Sequence, residues 1–207
     1  MPRLRRLRWA TGMVVIIGVV GSFAACSSGA KPAAQPKVPT FASSTTASTP
    51  AAPELTAVPK GCDQVAQAAD VDKIVGHQLP GTMAPVVGVP EAAINRTARL
   101  DCYYGIPQGQ PVTAAAIGIG IASYADPTSA QHGVQVTITS ARDTGYATND
   151  VQVAGQHAVL LAGPQNQELV LAHANLTVLI SAVNGVLPVG KVGPPLMALA
   201  VRALTAH

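Results

Sequence analysis

Between Val112 and Tyr124, Ile117, Ile119 and Ile121 alternate with Gly118, Gly120 and Ala122. Alternation of this kind marks a strand with one face in a core. The Ala/Gly face leaves room for a packed helix, the commoner arrangement, or for a ligand. A second strand is predicted at Arg99–Gly105, turned back by Pro107-Gln-Gly-Gln-Pro111. Three more follow at Gln152–Leu161 (broken by Gly155), Glu168–His173 and Leu176–Val183, with short turns at 163–166 and 174–175. Helical spacing marks Asp63–Val75: Val65, Ala68, Ala69 and Val71 fall near one face, Asp70 is placed to cap a second turn, and Gly76 ends it. A last helix over 195–205 opens at Pro194-Pro195 and turns Leu196, Leu199, Ala200 and Ala203 inward. Residues 127–141 fit a helix through Ala130, Val134, Ile138 and Ala141, and a strand through Val134, Val136 and Ile138; the start at Asp126-Pro127 favours the helix. Residues 77–97, rich in Pro and Gly, predict an irregular loop. The order α-β-β-α-β-β-β-α predicts an α+β domain, a curved antiparallel sheet of about five strands with helices packed on one face.

The first 25 residues have a different pattern. Arg3, Arg5, Arg6 and Arg8 precede the short apolar run Met13–Val20, as in a secretory signal. Gly21-Ser-Phe-Ala-Ala-Cys26 then resembles the bacterial lipobox, in which diacylglycerol is attached to the cysteine and the chain is cut in front of it. Ala24 and Ala25 have the small side chains this needs, while Phe23 stands where Leu is usual. Two other readings fit the same residues: an uncleaved anchor over 9–25, and an ordinary signal cut at Ala-x-Ala. The unpaired Cys26, followed by Ser27-Ser28-Gly29, favours the lipobox. All three readings export the domain. In the first, two or three acyl chains, at about 0.8 kcal/mol per buried CH2, make attachment permanent. The resemblance implies a protein lipidated at Cys26 and held at the extracytoplasmic face of the cell membrane.

Residues 26–60 carry the lipidated Cys and a Ser/Thr/Pro/Ala-rich tether, and 61–207 the globular domain. The tether buries too little to offset the cost of ordering it. Its composition fits an O-glycosylated stalk and a plain spacer equally. The sequons at Asn95 and Asn175 read as coincidence in a bacterial chain.

Composition changes the picture in two places. Of 207 residues 48% are hydrophobic but only 3% aromatic, so an Ala- and Val-rich core must hold the domain. The net charge of +3 belongs to the signal: without residues 1–25, nine basic residues face ten acidic ones, leaving −1. That excludes a nucleic-acid binder working through a basic face. In an oxidising compartment, with Cys26 lipidated, Cys62 and Cys102 are left to form a disulfide; two cysteines alone cannot make a tetrahedral zinc site, and they lack CxxC spacing.

The whole pattern resembles a group of small actinobacterial lipoproteins of unknown function, common in mycobacteria. The shared elements are the lipobox, the tether, Cys62 at the first helix paired with Cys102 in the first strand, Asp126-Pro127 and Val153-Ala-Gly155-x-x-Ala158. The resemblance implies the fold and the envelope location; it brings no catalytic residues.

Little in the sequence points to chemistry. His77, His132, His157, His173 and His207 are scattered, and neither HExxH nor Gly-x-Ser-x-Gly occurs. Gly118-Ile-Gly120 lies inside a strand and lacks the third glycine of a dinucleotide loop. Asp63, Asp70 and Asp72 are explained by a solvated helix face. Of Tyr103 and Tyr104, one ring should pack on the disulfide and the other face outward as a contact surface. No catalytic residue, metal ligand, cofactor motif or ligand-binding residue is identified. The expectation is a non-catalytic binding domain tethered to the membrane, with an envelope protein or lipid as partner and no nucleic acid. The alternatives are a carrier of an apolar envelope lipid or glycolipid and, third, a cell-wall enzyme.

Overall fold

In the computed structural model, which describes residues 55–188 and 190–206, the chain is attached to the domain from Thr56, whose backbone N–H donates to the Asn175 side chain at 2.7 Å. Pro59 is buried and Val58 packs on the core. The Cys26 assignment and most of the tether lie outside the described residues.

The expected first helix is two helices, α1 (Cys62–Val65) and α2 (Ala68–Val75), separated by extended backbone at Ala66. Asp70 does cap the second, accepting the Gln67 backbone N–H at 3.4 Å. The strands follow as β1 (Thr82–Gly88), β2 (Arg96–Ile106) and β3 (Ile117–Tyr124). Next come α3 (Pro127–Asp143) and the run β4 (Ala147–Val153), β5 (Gln156–Ala162), β6 (Asn166–His173) and β7 (Leu176–Val183). The chain closes with α4 (Gly193–Leu204).

Seven antiparallel strands form one open sheet in the order β1-β2-β3-β7-β6-β5-β4. The expected count of five becomes seven through two added strands, and one expected strand is shorter. The 77–97 loop contains β1. The strand expected over 112–124 begins only at Ile117, after a 3-10 turn at Val112–Ala114. The single strand expected over 152–161 is a hairpin: Ala154 and Gly155, at φ 48° and 78°, are both left-handed and reverse the chain between Val153 and Gln156.

Residues 127–141 are helical. Asp126 accepts from the Ser129 backbone N–H at 2.8 Å, and Ala130, Val134, Ile138 and Ala141 face inward while Val136 is 53% exposed. The helices do not share one face of the sheet. α1, α2 and α4 cover the side carrying Cys102, Ile117, Ile119, Ile121, Leu169 and Ile180. α3 packs on the opposite side, against Val159, Leu161 and Val170. The physical reason is that β5–β7 carry buried apolar residues on both faces, so one helical layer cannot bury them.

On the α4 side, register lines up Pro85, Cys102, Ile119, Ile180, Leu169 and Leu160 in one row across six strands. Cys62 and Cys102 are bonded, joining α1 to the first third of that row. Tyr104, 1% exposed, lies in the same core and donates its hydroxyl to the Ala66 carbonyl at 2.8 Å. Arg202 and Asp70 form an ion pair that ties α4 to α2.

Candidate functional site

The connection between β3 and β4 decides what the other face exposes. β3 is central and β4 is the far edge, so α3 must cross the sheet to start the four-strand meander that returns to β3. It covers β5, β6 and β7, and only the Tyr124 end of β3. The face of β2 and β3 beyond that end is left open.

Three rows run across this open face. Tyr103 stands opposite Gly118, which faces Ser181, which faces Glu168. Asp101 stands opposite Gly120 and Leu179, and Arg99 opposite Ala122 and Thr177. The two glycines form the floor, and side chains there would not fit as the groove stands. A Cβ on Gly118 would lie 2.6 Å from the Ser181 hydroxyl oxygen, and one on Gly120 would lie 2.8 Å from an Asp101 carboxylate oxygen.

The groove has two hollows. One, of about 120 Å3, lies between Tyr103, Asn166 and Ser181 and is walled by Thr113 of the 3-10 turn. The other, about 80 Å3, runs from Arg99 and Gly120 under α3 to Thr137 and Thr177. The polar groups are held from both sides. Arg99 donates twice to Asp101, at 2.7 and 2.9 Å, and this bidentate pair holds the guanidinium still more firmly protonated than usual. Partial burial and the Asp101 charge raise the Tyr103 phenol, which stays neutral around pH 7. On the far wall Tyr146 donates to Asn166 at 2.6 Å, and Asn166 donates to Glu168 at 2.6 Å. Burial pushes the Glu168 carboxyl above its ordinary value, against the opposing effect of the Asn166 bond.

That shift has a sign. A carboxylate with a folded-state pKa above its unfolded value weakens the fold when charged, and the penalty disappears as pH falls through the folded pKa. Glu168→Gln, which keeps the acceptor for Asn166, is expected to unfold at higher urea than the parent at pH 7. The gap should close on acidification, as read by parallel urea titrations of both chains. An equal gap at every pH would contradict it.

Chemically, the groove can bind: it offers a fixed ion pair, a half-exposed ring, an amide and two hydroxyls over a flat floor. Among the described residues no three His, Cys, Asp or Glu side chains come together as metal ligands would. His77 bonds the Val186 and Gln78 carbonyls, and these acceptors raise its pKa; His157 pairs with Asp150 at 3.0 Å on an exposed hairpin; His132 is exposed, His173 is half-buried, and His207 lies outside the described residues. Asp72 accepts the Leu79 backbone N–H at 2.9 Å, and Asp63 is exposed. Asn175, 2% exposed, has its amide committed to the Thr56 and Tyr124 carbonyls, which agrees with reading its sequon as coincidence.

The Ala/Gly face and one outward ring of the Tyr103–Tyr104 pair are legible in the sequence, and the structure makes the outward one Tyr103; Arg99 and Asp101 could have been read too, since i, i+2 spacing on a strand puts them on the Gly120 side. Asn166, Glu168 and Ser181 could not, because only the register of β6 and β7 brings them there.

No protein-family model matches the chain, and no curated protein matches it in sequence. Among solved structures, the crystal structure of the extracellular domain of PknH from Mycobacterium tuberculosis is similar at 11% identity and a TM-score of 0.45, over 73% of this chain and 96% of that one.

Proposed function

We propose that this protein is a non-catalytic binding domain, held at the extracytoplasmic face of the cell membrane by acyl chains on Cys26, and that the open groove on the β2–β3 face receives its ligand. The groove carries the reading. A sheet face floored by Gly118 and Gly120, between a bidentate Arg99–Asp101 pair and the Tyr146–Asn166–Glu168 chain, has polar groups already fixed in place, so little ordering cost remains when a partner binds. The shallow floor suits a flat polar ligand or an extended segment of an envelope protein.

A photo-crosslinking side chain at Tyr103 tests the groove in intact cells, with the same side chain at Val136 on the outer surface of α3 as control. Tyr103 is expected to capture a product that Val136 does not and that disappears when Gly118→Val fills the floor. Identical capture from both positions would sink the site. Cys26→Ala, read separately by membrane fractionation, is expected to leave the chain unprocessed and without acyl mass.

One observation favours the carrier reading. A hollow of about 450 Å3 beside the loop after β7 is lined by Val183, Leu187, Val192 and three glycines. Native mass spectrometry of the protein from its own host decides: co-purifying lipid supports the carrier, and a clean apoprotein counts against it.

A further inference from the structure

One stretch of surface differs from the rest. From Val86 to Ile94 the chain reads Val-Val-Gly-Val-Pro-Glu-Ala-Ala-Ile, and none of the nine is buried. Val87 and Val89 are 74% and 75% exposed, and Ile94 42%. The single charge is already neutralised: Glu91 pairs with Arg96 at 2.7 Å, and backbone hydrogen bonds between the same two residues close the tip of the β1–β2 hairpin. A contiguous exposed apolar surface of this kind marks a contact site.

Two observations indicate what covers it. The first is position. Arg96 pairs with Tyr124, the Ala125 N–H donates to the Asn95 carbonyl, and Asn175 bonds both Tyr124 and Thr56. With strands about 4.8 Å apart, these three steps put the Arg96 end of β2 about 15 Å from Thr56, where the N-terminal arm joins the domain, and the hairpin tip about one strand further. The second is length. Only 29 residues separate Cys26 from Thr56, a reach of about 30 Å as coil. A tether of so few residues turns a weak contact with the surface holding Cys26 into an intramolecular one of high effective concentration. Strand addition by a second copy is disfavoured, because Pro85 removes a donor from the middle of β1.

We propose that the β1–β2 hairpin tip, led by Val87, Val89 and Ile94, rests in the headgroup region of the lipid bilayer. This extends the anchor reading of Cys26 and rests on it. The strands then stand on end, and the groove opens sideways, parallel to the membrane surface.

Tryptophan gives the test. The sole Trp of the sequence, Trp9, precedes Cys26, so Val89→Trp puts a lone reporter at the tip of the processed chain. The full acylated chain carrying it is reconstituted into vesicles of mixed phosphatidylethanolamine and phosphatidylglycerol. Its emission is expected to shift to the blue and to be quenched by bromine-labelled acyl chains. Adding Val87→Asp should reduce the quenched fraction about tenfold. Emission that neither shifts nor is quenched overturns the proposal. So does a shift that needs no vesicles and grows with protein concentration, which is a contact between copies. Intact mass of the same sample reads the acyl chains independently: an acylated chain without quenching removes the docking and keeps the anchor, and a quenched chain without acyl mass does the reverse.

Discussion

Cys62→Ala/Cys102→Ala is expected to lose about 4 kcal/mol of unfolding free energy, the chain-entropy value for opening a loop that spans 40 residues. For a domain of ordinary stability, about 5–15 kcal/mol, that is a large fraction. The loop holds α1, α2, β1 and half of β2, so without the bond the denatured chain regains freedom across the whole N-terminal third of the domain. Both cysteines are buried, at 3% and 0% exposure, so alanine also removes packing at the start of the central apolar row. Urea unfolding should show a lower midpoint together with a steeper slope, because the opened denatured state exposes more surface. Parent protein treated with a thiol reductant should fall onto the curve of the double variant, and the double variant should not respond. A variant with an unchanged midpoint would mean that the bond adds nothing to the fold.

Ile180→Ala should be nearly as damaging, in the upper part of the range of about 2–5 kcal/mol seen when a buried Ile or Leu is truncated. Ile180 is 0% exposed at the middle of β7, between Ile119 of β3 and Leu169 of β6 and under the α4 layer. With strands hydrogen-bonded on both sides, the backbone cannot close on the void, so the cavity term is kept in full. Val183 on the same strand is 44% exposed, and Val183→Ala should cost far less. Thermal melts of the two variants check the contrast; equal losses would refute the central place given to β7.

The parts of the fold that are hard to read in the sequence share a physical cause. β1 and β4 are the strands that reading by pattern misses, and they are the two edges of the sheet. An edge strand has one partner and little burial, so its sequence is free of strict alternation: Thr82–Gly88 holds Pro85 and exposes residues on both faces, and Ala147–Val153 carries Asn149 and Asp150. Central strands have no such freedom, which is why Ile117–Ile121 and Leu176–Val183 stand out. The helix at 127–143 is ambiguous by period alone, and the Asp126-Pro127 start resolves it correctly. The small-residue side of β3 is visible in the sequence, where a packed helix is the favoured explanation; in the structure α3 covers only its Tyr124 end. What surrounds that side is not visible, because Ser181 and Glu168 come from strands more than 40 residues further along.

The sheet order also governs how the polypeptide comes together. Whether it emerges from a ribosome or threads through an export channel, it does so from the N-terminal end. β1, β2 and β3 are therefore complete while β7, the neighbour of β3, is still some fifty residues behind. Until then Ile117, Ile119 and Ile121 have no inner partner, and the half-built molecule carries a bare, sticky strand. Pairings between such distant segments are slow to form. The interval before the last strand arrives is the stage at which this chain most needs a chaperone and is most prone to aggregate with its own copies.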